Sequence, residues 1–76
     1  MTKYYSLLTL EHGSVSRWCP QFGDYDRSVV MAERDNYVES QGYRKKDTKI
    51  VCTDDTQASI DTYCKKLNES LVTTNA

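Results

Sequence analysis

The residues able to do chemistry are few and scattered. They are three cysteines (Cys19, Cys52, Cys64), one histidine (His12) and two pairs of neighbouring acids, Asp24 with Asp26 and Asp54 with Asp55. A structural zinc site needs four ligands at close spacing. Here only His12 could join three widely separated cysteines, and no C-x-x-C pair is present. The expectation is no metal centre, and thiols that behave as small apolar side chains in a reducing compartment. His12 stands beside Ser14 and Ser16, but a serine nucleophile also needs an acid to orient the imidazole, so His12 reads as a turn residue. Cys19 with His12 has no further support as a thiol nucleophile. The acid pairs stand where helices begin and read as caps, since no D-x-D-x-D-G calcium loop is present. The three glycines are isolated, so no phosphate-cradling loop is expected. The expectation is a protein without catalytic residues, metal or cofactor, hence not an enzyme.

Recognition chemistry is better represented. Six tyrosines, one tryptophan and one phenylalanine occur in 76 residues. Tyrosine and arginine are the side chains that most often anchor protein interfaces. Two contact sets follow: an aromatic rim of Trp18, Phe22, Tyr25 and Tyr43, and a helix patch in which Met31 and Val38 lie on one line, flanked by Arg27 and Arg34. A second function class is a single-strand nucleic-acid binder that stacks bases on Tyr4, Tyr5 or Trp18, with Lys3, Arg17, Arg44, Lys45, Lys46 and Lys49 around them. Ten basic against eleven acidic residues, a formal net charge of −1, favour a protein partner over a polyanion. A third class is capture of a small nucleotide-like ligand between subunits.

These residues need a scaffold, and the chain is long enough for one small domain only. Hydrophobic residues are 38% and charged residues 28%, so the core is thin and a homodimer is a reasonable expectation. No apolar run is long enough to span a membrane, and the start, MTKYYSLLTL, lacks a signal peptide's apolar region and cleavage site. Cytoplasmic localisation is expected.

Residues 3–11 read as a strand, with Tyr4, Ser6, Leu8 and Leu10 on one face and Tyr5, Leu7, Thr9 and Glu11 on the other. His12 and Gly13 make a turn, and residues 15–19 return as a second strand that Pro20 ends. A loop over 21–24 leads to a helix over about 25–41, with Asp24 or Asp26 as N-cap and Gly42 just past its end. Its apolar face is expected at Tyr25, Val29, Val30, Ala32 and Tyr37. Glu33 falls near the middle of that face, to snorkel to its edge, to bond a tyrosine hydroxyl or Arg17, to act as an acid or base, or to make a polar contact to a partner. Residues 49–53 form a third strand. A second helix over about 56–70 carries Ile60, Cys64, Leu67 and Leu71 at spacings of four, three and four. The fold class is α+β, a two-layer β-β-α-β-α domain over 1–71 whose three-stranded sheet carries both helices on one face, followed by a frayed tail over 72–76. The third strand is parallel to the second through a crossover, or antiparallel.

The stretch WCPQFGDYDRSVVMAERDNY (residues 18–37), with KIVCTDDTQASIDTYCKKLN (residues 49–68), resembles small accessory proteins encoded by tailed bacteriophages. These carry an aromatic F-G-x-Y-D turn opening a charged helix, then a lysine-led strand and a short closing helix. The resemblance covers roughly residues 15–68. It implies a host cytoplasm and a protein that binds and modulates or inhibits a host protein, including components of defence systems. It carries over no catalytic residue.

Overall fold

A computed structural model of the chain describes residues 2–74, with side chains described as far as residue 71. The element order is β1 (Lys3–Glu11), β2 (Arg17–Asp24), α1 (Arg27–Ser40), a 3-10 turn (Lys45–Asp47), β3 (Thr48–Asp54) and α2 (Gln57–Thr74). This is the expected α+β domain in the expected β-β-α-β-α order. The tail expected over 72–76 falls on backbone that continues α2 to Thr74 and on two residues outside the described ones.

The sheet is three-stranded in the order β2-β1-β3, and β1 is antiparallel to both neighbours. Strands β2 and β3 therefore run in the same direction on either side of β1, and α1 is the crossover between them. Strand β2 does not stop at Pro20. It runs on to Asp24, with Leu8 opposite Pro20 and Leu7 opposite Phe22. Proline cannot donate to a ladder, yet β2 is an edge strand with one side unpaired, and there proline is tolerated. The register slips between Leu7 and Leu8, leaving Gln21 as the extra residue of a bulge.

The central strand decides the layering. Leu7 and Leu8 point to opposite faces, and both are fully buried. Leu8 packs with Trp18 and Val51 under Leu10, Cys64, Leu67 and Leu71, so α2 covers that face with the stripe read from its sequence. Leu7 and the fully buried Val30 lie outside that cluster, and α1 packs over β1 and β2 on the other side. The helices thus divide between the two faces instead of sharing one, because an apolar residue on each face of β1 needs cover. The Cα extents of 36 × 31 × 14 Å fit three layers over a narrow sheet.

Helix α1 also turns a different face inward. Val30 is its one buried residue, with Met31, Glu33, Arg34, Tyr37 and Val38 half-buried beside it. Val29 and Ala32, expected to face the core, are exposed. Asp26 is the N-cap, its carboxylate accepting from the Ser28 backbone N–H at 2.9 Å. Gly42, at φ 79°, provides the left-handed residue just past the C-cap Gln41. At the start of α2 the Thr56 hydroxyl accepts from the Ser59 backbone N–H at 3.2 Å.

Candidate interaction surface

At one end of the sheet β1 begins, β2 ends and β3 ends, and both helices start. The chain leaves β2 through a tight turn in which the Asp24 carboxylate accepts from the Asp26 backbone N–H at 2.8 Å. Tyr25 sits between these two acids and is 57% exposed. Its ring meets Tyr4 edge-on, centroids 5.0 Å apart and planes at 78°. Its hydroxyl donates to Asp55 at 3.1 Å, and that acceptor raises the Tyr25 pKa. Tyr4 in turn lies against Gly23, where a Cβ would run into the tyrosine hydroxyl and ring. Glycine there allows the close approach that seats Tyr4 and, through it, Tyr25. Val29 follows one helical turn after Tyr25 and is 41% exposed. Ala32 extends the same outward strip.

The expected contact residues separate. Tyr25 and Arg27 are exposed, and the Arg27 Nη1 reaches the Met31 sulfur at 3.0 Å. Met31, Arg34 and Val38 are half-buried, with the Arg34 Nε buried and without a hydrogen-bond partner. Phe22 and Tyr43 are half-buried at different places, and Trp18 is buried under α2 with the Lys49 ammonium 5.2 Å from its ring centroid. The rim and the helix patch therefore do not form two continuous surfaces. Only Tyr25 of the rim and Arg27 of the patch stay outward. Val29 belongs to neither set, since its place on the apolar face of α1 points to the core; its signal is its i, i+4 spacing from Tyr25.

The residues offered for base stacking are also seated. Trp18 is buried, Tyr4 and Tyr5 are half-buried, and each face of the sheet carries a helix.

The opposite end of the sheet holds the polar groups. Asp47, nearly buried, accepts from His12 Nε2 at 3.3 Å and from Arg44 Nε at 3.2 Å. Burial opposes its ionisation, but these two donors prevail and lower its pKa. Ser16 lies 3.3 Å from the other imidazole nitrogen, so Ser16, His12 and Asp47 stand in a row. Arg44 shares the carboxylate oxygen that faces His12. The row latches the β1–β2 turn to the 3-10 turn before β3. Beside it the Glu11 carboxylate accepts from Thr9 and from the Tyr43 hydroxyl at 2.8 Å. Those two donors, Thr9 first, lower the Glu11 pKa, and the Glu11 acceptor raises that of Tyr43. The Tyr43 ring meets Tyr37 of α1 at a tilt of 40°, centroids 5.8 Å apart. Among the described residues no group of three or more His, Cys, Asp or Glu side chains could hold a metal ion, and no helix is long and apolar enough to cross a membrane.

No protein-family profile, curated protein or solved structure matches the chain.

Proposed function

We propose that this chain is a non-enzymatic binding protein that acts by occupying the surface of a partner protein. One observation carries the reading: Tyr25 is a large aromatic group, outward-facing yet held in place by Tyr4 and Asp55, with Val29 exposed one turn along. An anchor fixed before binding loses little side-chain freedom on contact, which is the property of interface hot spots. The contact strip is Tyr25, Val29 and Ala32, edged by Arg27 and Asp55. The mechanism is steric occlusion or trapping of one partner conformation.

The resemblance to phage accessory proteins supplies the partner class in this proposal: a host protein, with components of defence systems included, met in the host cytoplasm. The test is capture from bacterial lysate by the immobilised chain, with and without nuclease. The expected result is one stoichiometric, nuclease-resistant protein that Val29→Asp loses and Lys65→Glu, on the exposed surface of α2, retains. Retention by Val29→Asp, with the circular dichroism spectrum unchanged, overturns the strip assignment. Recovery that disappears with nuclease overturns the protein-partner reading in favour of nucleic acid.

A further inference from the structure

The two edges of the sheet are treated differently. The β2 edge is closed in several ways. Pro20 lies in it, Gln21 bulges from it, and Asn68 of α2 takes up its free backbone groups at Trp18. The Asn68 side-chain oxygen accepts from Trp18 N–H at 2.6 Å and its amide donates to Trp18 C=O at 3.4 Å. The β3 edge has none of these devices. Its seven residues, TKIVCTD, contain no proline, and the register with β1 is unbroken from Lys3–Asp54 to Thr9–Thr48. Lysine is a common guard of an open edge, but the one lysine in this strand, Lys49, extends over the Trp18 ring. The long, regular edge is a template for another strand.

We propose that β3 pairs antiparallel with β3 of a second copy of this chain, about a two-fold axis at Cys52, so that the two sheets become one. The strand is self-complementary in charge. Lys45 and Lys46 stand just before it, and Asp54 and Asp55 close it. Antiparallel pairing sets the basic end of each copy against the acidic end of the other. Centred on Cys52, the pairing places Ile50 opposite Asp54 and Val51 opposite Thr53, so each side chain stays on its own face of the sheet. Alongside the edge runs an open groove of about 400 Å³ lined by Cys52, Asp54, Thr62 and Tyr63 among others. Tyr63 is 39% exposed there, and the pairing places the α2 flank of one copy beside that of the other. Self-pairing of an edge through an isologous contact closes after two copies.

The experiment is sedimentation equilibrium of the whole chain over a wide concentration range. Wild type is expected to show a monomer–dimer equilibrium. Cys52→Lys sets two like charges at the axis, on a side chain that is exposed in the single copy. It is expected to be monomeric throughout, with an unchanged far-UV spectrum. Lys45→Glu with Lys46→Glu, two exposed changes in the turn just before the strand, is expected to weaken the dimer by roughly threefold to tenfold at low salt. A wild type that stays monomeric at every concentration overturns the proposal. A dimer that persists unweakened in both variants overturns the β3 edge as its site.

Discussion

The two faces of the sheet are covered by different means. Under α2 the seal is apolar: Leu8, Trp18 and Val51 meet Leu10, Cys64, Leu67 and Leu71. Under α1, among the described residues, Leu7 and Val30 are the fully buried apolar side chains; Phe22, Ile50, Met31 and Val38 are only half-buried, and a polar chain runs beside them. There Thr9, itself fully buried, receives a hydrogen bond from Gln21 Nε2 at 3.0 Å and donates to Glu11, which Tyr43 also reaches. Apolar contact is non-directional and tolerates small shifts. A hydrogen-bonded seal depends on every member being paired and on its charge state. The α2 face should therefore carry most of the stability, and the α1 face most of the sensitivity to conditions.

The largest expected effect is on the apolar side. Leu8→Ala removes a fully buried side chain from the centre of the only multi-residue apolar cluster described, at a cost of about 3 kcal/mol. For a domain of this size that is a large share of the total stability. Urea titration followed by tryptophan fluorescence reads the α2 face directly, because Trp18 lies within it. A shift of the midpoint no larger than that of an exposed substitution such as Val15→Ala would break the comparison at its stronger side.

Val30→Ala is the matching change on the other face. It should cost about 2 kcal/mol, less than Leu8→Ala, since a smaller group is lost and the site is bordered by half-buried side chains. The two variants measured side by side sharpen the contrast. Equal or reversed costs would mean that Leu7 and Val30 form a core as important as that under α2.

The same contrast explains what the sequence could tell. Ile60, Cys64, Leu67 and Leu71 repeat at one helical spacing, so the inner face of α2 was legible from them alone. The apolar residues of α1 spread around its wheel, and no stripe dominates. Its inward face is settled by Val30 together with side chains of mixed character, Arg34 and Tyr37 among them, which periodicity ranks no higher than Val29 or Ala32. That rotation exposes Val29 and draws Met31, Arg34 and Val38 inward, so of the expected helix patch only Arg27 stays exposed. Pro20 reads as a stop in the sequence because edge position is a property of the sheet, unknown until strand order is known. Tyr25 was legible as an aromatic at a helix start. Its link to Asp55 spans thirty residues and that of His12 to Asp47 thirty-five, and neither has a local signature.

The smallest effect tests the polar side by its charge. Both Glu11 and Asp47 have pKa values below their ordinary ones, 4.5 and 3.8, because donors hold their ionised forms. A carboxyl whose folded pKa is depressed binds protons more weakly than in the unfolded chain, so unfolding takes up protons as the pH falls. The stability these groups contribute is complete above about pH 5 and is lost as the pH drops through and below their ordinary values. The melting temperature of the wild type should fall across that window. Glu11→Gln with Asp47→Asn should lower it at pH 7 and flatten its acid slope. Amide exchange adds the spatial test. On acidification the amides of α1 and of the 3-10 turn should lose protection before those of α2, whose apolar cluster contains no carboxylate. Earlier loss in α2 would show that the two seals do not differ in the way their composition requires.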